Sequence, residues 1–314
     1  MAVTLEANAT PDNFDESGYL AANPDVAEAV RKGQFKSGRQ HFEGHGLKER
    51  RLIRFPCSIA DIQQEKLKRI EPLLRSDLPH VRRGAKYDFL TDTLRAETGI
   101  SETDAISAHG YDPYALELIA SCRDGLVLDC GAGKRPVYYP NVVNFEIVDY
   151  VTTDVLGIGE QLPFRDNAFD AVLSLSVLEH VRDPFACAAE IARVLKPGGK
   201  LICCVPFLQP LHGYPHHYYN MSGQGLRALF ERRLHIDQHI VPRSTLPLYS
   251  LTWFVQSWAG GLQGQTRDEF LSMRLSELLK HPDELVDRRW VTALSGETNF
   301  ELASATMLFA HKEA

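Results

Sequence analysis

Between residues 126 and 205 the chain repeats one rhythm: a short run of consecutive apolar residues, a polar turn, then a helical or turn-rich segment. The runs are Leu126-Val127-Leu128, Val142-Val143-Asn144-Phe145, Ala171-Val172-Leu173-Ser174-Leu175 and Leu201-Ile202-Cys203-Cys204-Val205. Near-continuous apolar runs of this length are typical of strands buried on both faces. Asp183-Pro184 opens a helix between the last two, with Phe185, Ala188, Ile191, Ala192 and Leu195 along one face. Lys196-Pro197-Gly198-Gly199 ends that helix and turns into the next strand. This alternation predicts an α/β fold with a parallel sheet. Residues 235–241 and 302–308 read as two further strands, separated by a helical insertion at about 246–281.

Upstream the pattern is helical. Residues 1–12 read as a loose tail and residues 13–51 as a small helical module. Asn23 offers an N-cap before Pro24 at the first helical position, and the helix runs to Gly33. Ser37 and Gln40 are spaced as a capping box for a second short helix, stopped by Gly46. Phe14, Tyr19, Leu20, Val26, Val30, Phe35 and Phe42 supply its core. Residues 52–108 form a charged helical connector, with helical stretches at 59–74 and 87–97, that lies over the site. Asp112-Pro113 caps a helix to about Cys122 within the last segment, residues 109–314.

The 314 residues are 44% hydrophobic and 24% charged, enough for a sizeable core. Lys and Arg are scattered and the formal net charge is −7, so a nucleic-acid partner has no electrostatic support. Cys57, Cys122, Cys130, Cys187, Cys203 and Cys204 form no C-x-x-C pair, which reads as buried thiols in a reducing compartment. No basic stretch followed by an apolar one opens the chain, so a cytoplasmic location is expected. Residues 246–262 contain Ser250, Gln256, Ser257 and two glycines and are too polar for a membrane span. Their stripe of Leu248, Leu251, Trp253, Phe254 and Trp258 reads either as packing against the sheet or as a face resting on a membrane surface.

Candidate chemistry begins with Asp129-Cys130-Gly131-Ala132-Gly133, directly after the first strand. The glycines let the backbone turn sharply and approach a ligand closely. Glu146 ends the second strand, where a carboxylate accepts both hydrogen bonds of a ribose diol. It follows the glycines sooner than the usual dinucleotide spacing of about 20 residues. The first crossover helix must then be stunted, as Pro136 and Pro140 agree. A pyrophosphate needs a helix N-terminus, so the pattern favours a ligand without phosphates over NAD.

Further motifs follow in order: Leu162-Pro163-Phe164, Asp166-Asn167-Ala168-Phe169-Asp170, Val177-Leu178-Glu179-His180-Val181 and Arg193-Val194-Leu195-Lys196-Pro197-Gly198-Gly199. With them, residues 126–230 resemble the class I S-adenosylmethionine (SAM)-dependent methyltransferases, in particular a bacterial set with these motifs. The resemblance implies a Rossmann-like, seven-stranded, mostly parallel sheet with an antiparallel last strand, here preceded by an N-terminal helical appendage. It implies S-adenosyl-L-methionine as cofactor, with Asp129, Gly131, Ala132 and Gly133 around its methionine part and Glu146 on the ribose. Ile147 would lie against the adenine, Ile158, Gly159 and Glu160 at its edge, and Ser176 near the transferable methyl. Two positions depart from the family pattern: Arg135 replaces a third glycine and Ile158 replaces an adenine-binding Asp. Pro163, Phe164, Phe169 and Asp170 read as turn and core residues, and His180 as a structural histidine. Residues 13–51 resemble a short module appended to glycosyltransferases and surface-glycan proteins.

Residues 206–220 hold three histidines and three tyrosines beyond the last central strand, where the acceptor would sit. Methyl transfer demands alignment of nucleophile, methyl and sulfur, and an alcohol acceptor also needs a base. His212 and His217 are the first candidates, and His109 could reach the site from the connector. A metal site from His212, His216 and His217 lacks a nearby carboxylate, so no metal is expected. Where related methyltransferases carry D-Y-Y-R-F-T, this chain has His217-Tyr218-Tyr219-Asn220-Met221-Ser222, with Ser222 capping the next helix. The expected function is methyl transfer to an oxygen of a sugar or other small molecule in cell-surface glycan biosynthesis. Its rivals are a SAM-binding scaffold in a glycan-assembly complex, a nicotinamide-dependent oxidoreductase, and a lipid or quinone methyltransferase at a membrane surface. The oxidoreductase is disfavoured because no G-x-G-x-x-G opens a helix.

Overall fold

The computed structural model describes residues 1–99, 107–213 and 216–307. Seven strands among them form the main sheet, numbered here in chain order. They are β1 (Val81–Arg83), β2 (Lys86–Asp88), β3 (Val127–Cys130), β4 (Val142–Glu146), β5 (Val155–Leu156), β6 (Phe169–Leu175) and β7 (Leu195–Cys204). Their order across the sheet is β7-β6-β3-β4-β5-β2-β1, and every pairing is parallel except β1 with β2. The four apolar runs lie in β3, β4, β6 and β7, four neighbouring strands of which β7 is the sheet edge. β3, β4 and β5 are buried along their whole length, as runs lacking polar alternation require.

The antiparallel member differs from expectation in position. The last strand, β7, pairs in parallel with β6, and the antiparallel edge is the β1–β2 hairpin from within the connector. Residues 87–97 are accordingly strand and loop before the helix Asp92–Thr98 begins. The residues expected as strands near the chain's end do not form them. Residues 235–241 are irregular, with Ile240 and Val241 exposed. Leu302 caps the helix Gly296–Glu301, residues 303–307 are irregular, and Leu308 lies outside the described residues.

Between β3 and β4 the crossover contains a two-residue strand, Val137–Tyr138, and no helix. That strand pairs antiparallel with Val3–Thr4, and Glu6–Asn8 pairs with Leu52–Arg54. Residues 1–12 are therefore built into the fold and are not a loose tail. In the module, Asp15 caps the helix Glu16–Ala22 and Ser37 caps Gly38–His41. The helical path continues past Gly46 to Glu49, because the turn over Phe42–Gly46 widens without breaking. The capping box is incomplete: the Gln40 side chain takes the N–H of Lys36 in place of that of Ser37. Tyr19, Val26 and Phe42 are buried with Ala9 and Ile53, while Phe14, Leu20 and Val30 pack around them. Phe35 stands apart, edge-on to His41 and His45.

The connector is fixed to the sheet by a buried cation. Lys66, on the helix Ala60–Ile70, places its ammonium 2.8 Å from Asp154 Oδ2 and 3.6 Å from the Tyr138 ring centre. Burial pulls its pKa down to about 8, against the opposing pull of Asp154. On the sheet, Ala115, Leu118 and Ile119 of the helix Pro113–Ser121 pack on Val127, Val142, Ala171 and Leu173. Asp112 and Asp183 each accept the backbone N–H three residues on, starting the helices Pro113–Ser121 and Pro184–Val194.

The chain divides into two units. The first holds residues 1–177 and 183–204, including the whole main sheet. The second takes residues 178–182 and the chain from Val205 onward. In it, Ala259 and Leu262 at the end of the helix Pro247–Gly260 pack with Phe270 and Leu294, and Trp258 Nε1 donates to the Trp290 carbonyl at 2.9 Å. Leu248, Tyr249 and Leu251, near the start of that helix, are exposed. No helix among the described residues is long and apolar enough to cross a membrane.

Candidate functional site

The glycine turn leaves β3 at its C-terminal end, where open parallel sheets bind ligands. Gly131 has φ +81°, and a Cβ there would collide with Val177, so the turn needs glycine twice over. The N–H groups of Gly131 and Ala132 both donate to the Phe145 carbonyl, tying the turn to β4. Gly133 N–H donates to Glu146 Oε2 at 2.6 Å, and Ile147 N–H donates to Oε1 at 2.8 Å. Glu146 thus spans the ends of two adjacent strands. Burial raises its pKa, while the backbone donors of Gly133 and Ile147 pull it back.

Arg135 defines the local electrostatics, although the sequence marks it only as a missing glycine. Its side chain turns inward, 2% exposed, and both Nε and Nη2 lie 2.8 Å from Asp129 Oδ2. Nη1 donates to the His109 carbonyl, and the guanidinium stacks 4.1 Å from the Tyr111 ring centre. Tyr111 Oη donates to the same Asp129 oxygen at 2.5 Å. The other oxygen, Asp129 Oδ1, is buried without a hydrogen-bond partner. Residues 107–111 therefore lie along the turn, fastened also by Lys134 N–H to the Ser107 carbonyl. His109 is in this strip, with Nε2 3.3 Å from Ser107 Oγ. Burial, then the Arg135 charge, lowers its pKa and favours the neutral ring. Nothing in the sequence singles out Tyr111.

Ile158 packs with Ile147, Leu156, Leu90 and Leu94 in an apolar cluster. Beside it, Gly157, Ile158 and Gln161 face Leu78, Pro79, Phe89 and Leu94 across a cavity of about 130 Å³. The connector thus covers the loop expected to meet adenine, and Ile158 supplies an apolar wall there. Gly159 stands at the start of a short turn against Cys187. Ser176 follows β6 with φ +57°, a left-handed backbone that costs a non-glycine residue about 1–2 kcal/mol. Strained backbone of this kind is concentrated at active sites and ligand clamps.

His212 and His217 belong to the second unit, where they meet His180. Ring centres are 4.2 Å apart for His212–His217 and 5.2 Å for His180–His212. His217 is fully engaged: Nδ1 accepts the His212 N–H at 3.1 Å, and Nε2 pairs with Asn220 Oδ1. Its role is to hold the loop, and neither nitrogen keeps a free lone pair for a proton. His212 and His180 each donate Nδ1–H to a backbone carbonyl, of Pro210 and His216 respectively. Glu179, which the sequence presents as one residue of a motif, is fully buried beside them, with Oε1 3.8 Å from His180 Nε2. Burial lifts its pKa to about 8. Tyr214 lies outside the described residues, and Ser222 caps the helix Gly223–Phe230 as expected. Cys130 and Cys187 are buried thiols as expected, Cys122, Cys203 and Cys204 are only partly buried, and Cys57 is exposed.

Residues 131–203 match the family model for a methyltransferase domain. The uncharacterized protein YafE of Escherichia coli is 34% identical over 110 residues, covering 31% of this chain and 52% of that protein. A demethylmenaquinone methyltransferase of Renibacterium salmoninarum is 32% identical over 129 residues, 40% of this chain and 48% of that one. A ubiquinone biosynthesis O-methyltransferase of Maricaulis maris is 50% identical over 48 residues, 15% and 19% of the two chains. The chain thus spans about half the length, or less, of these relatives. A solved Haemonchus contortus phosphoethanolamine N-methyltransferase 2, in complex with S-adenosyl-L-methionine, overlaps 48% of this chain and 44% of its own at 16% identity and TM-score 0.29.

Proposed function

We propose that the protein transfers a methyl group from S-adenosylmethionine to an acceptor oxygen, and that the acceptor is a hydroxyl of a sugar or similar small molecule in surface-glycan assembly. The observation that carries the cofactor reading is the Glu146 carboxylate bridging the glycine turn and the end of β4, inside the segment that matches a methyltransferase domain. Each carboxylate oxygen accepts more than one hydrogen bond, so Glu146 retains capacity for a ribose diol. The residues also fit the amino-acid end of the cofactor. Asp129 Oδ1 is a buried acceptor awaiting a donor, which an α-ammonium supplies. The apolar slot beside Ile158 suits a flat base held by packing and backbone groups. The bound cofactor supplies a methyl on a sulfonium, a leaving group that needs no acid assistance.

The chain's own task is alignment, and for a hydroxyl acceptor, removal of one proton. His109, kept neutral beside the turn, is suited to accept it. The glycan assignment rests on the resemblance of residues 13–51 to modules of glycan proteins. Calorimetric titration with SAM and S-adenosylhomocysteine tests the cofactor reading. Micromolar binding to the wild type, lost in Glu146→Ala, is the expected result. A folded wild-type protein that binds neither compound refutes it, and the scaffold reading without cofactor then leads.

A lipid or quinone acceptor is the second reading. The exposed Leu248, Tyr249 and Leu251 on the helix Pro247–Gly260 favour it, as do the quinone methyltransferases among the relatives. Flotation with anionic liposomes decides: protein that stays at the bottom of the gradient removes this reading.

A further inference from the structure

We infer that the second unit carries a binding site for a divalent transition-metal ion of the zinc type, formed by Glu179, His180 and His212. One ligand atom from each lies within 4.8 Å of the others. One carboxylate and two imidazoles make a donor set suited to zinc and its first-row neighbours, not to magnesium or calcium, which prefer oxygen alone. This inference stands independently of the methyl-transfer reading.

Three features separate this trio from a chance cluster. Glu179 is fully buried, yet neither carboxylate oxygen has a hydrogen-bond partner. A buried carboxyl group left without partners is costly unless a cation or donor arrives. Both histidines are held in the tautomer a metal requires. A carbonyl oxygen only accepts, so the contacts of His180 Nδ1 to the His216 carbonyl (2.7 Å) and His212 Nδ1 to the Pro210 carbonyl (2.8 Å) place the protons on Nδ1. Nε2 of each ring then carries the lone pair, and the Nδ1–H to carbonyl bond is the usual support for a metal-binding histidine. Finally, the backbone is stitched to hold the trio. The N–H groups of Tyr218 and Tyr219 both donate to the Glu179 carbonyl, fixing the 178–182 segment to the histidine loop. Gly213, at φ +90°, lets that loop close on the His180 ring, where a Cβ would collide.

His180 Nε2 and Glu179 Oε1 are 3.8 Å apart. An ion at about 2.0–2.2 Å from each donor needs them slightly closer, a movement within side-chain adjustment. Three protein ligands leave coordination positions open for oxygen ligands such as water or a hydroxyl. His217 stands behind His212 as a positioning residue, its Nδ1 accepting the His212 N–H.

The test uses the full chain, stripped with chelator and free of any histidine tag. Titration with Co²⁺ followed by visible absorption, and with Zn²⁺ by competition against a chromophoric chelator, reads stoichiometry and affinity. One ion per chain is expected, with the Co²⁺ spectrum of a low-coordinate site containing nitrogen ligands. Glu179→Gln and His212→Ala should each weaken binding by at least about 100-fold, whereas His235→Ala, at an exposed histidine, should leave it unchanged. Zn²⁺ should also raise the wild-type melting temperature in a chelator-reversible manner. That readout does not depend on the variants folding. Absence of a stoichiometric ion in the wild type overturns the inference, as does binding that survives both substitutions.

Discussion

The guanidinium of Arg135 closes on a single oxygen of Asp129, with Nε and Nη2 each at 2.8 Å, in a site where both side chains are almost wholly buried. The residue that departs from the resembled glycine pattern is thereby the counter-ion of Asp129. Restoring the pattern with Arg135→Gly should destabilise the protein, because it strands a buried carboxylate. The expected loss is about 3–5 kcal/mol, read by urea unfolding. Asp129→Asn combined with Arg135→Gly should recover part of it. A neutral Arg135→Gly would mean the ion pair is not a structural element of the turn.

Glu146 faces two N–H donors at once, from Gly133 and Ile147. In Glu146→Gln one amide nitrogen must face one of those donors. Lost charge-assisted hydrogen bonds cost about 1.5–3 kcal/mol each, so SAM affinity should fall roughly 10-fold or more by calorimetry. Full affinity in this isosteric variant would show that the carboxylate charge is irrelevant to the turn.

Ser176 holds a left-handed backbone at the end of β6. Ser176→Gly removes the steric cost, so the melting temperature should rise, with a gain of about 1 kcal/mol. Methyl-transfer turnover should fall in the same variant if the strained serine orients reacting groups. A stabilised variant with unchanged turnover would assign the strain to folding alone.

Glu6 links the N-terminal strand to the glycine turn through Lys134 at 2.8 Å, and to Arg54 at 2.9 Å. Burial alone would raise its pKa, but the Lys134 and Arg54 contacts outweigh burial and hold it below the ordinary glutamate value. A lowered folded-state pKa contributes stability above the ordinary value, lost as pH falls through the lowered one. Glu6→Gln should therefore be less stable than the wild type at pH 7, with the difference narrowing toward pH 3. Thermal melts across that range check it; a constant difference would exclude the ionic contribution.

β3, β4 and β6 and their helices were legible because burial writes a near-continuous apolar run, and because Asp112-Pro113 and Asp183-Pro184 are strong caps, whereas the two-residue β5 was not. The sheet edge was not. β1 and β2 are three residues each and charged, and β1 is fully exposed. The available signal was Gly84, φ +60°, first of the two residues between Arg83 and Lys86, a known hairpin signature. Residues 235–241 differ the other way: Ile236, Ile240 and Val241 suggest a strand, but strand formation needs a partner edge. In the site, Glu146 and the glycine turn could be read from position along the chain. The roles of Arg135, Tyr111 and Glu179 could not, since each depends on a partner brought near by folding.

Residues 178–182 leave the first unit, join the second, and return at Asp183 before β7 is laid down. Glu179 and His180 are therefore separated in sequence from their histidine partner His212 by a helix and a strand that belong to the other unit. The second unit is a discontinuous inheritance. A fragment beginning at Val205 would carry His212 without its carboxylate, and transplanting that fragment onto another protein would move the loop and leave the trio behind.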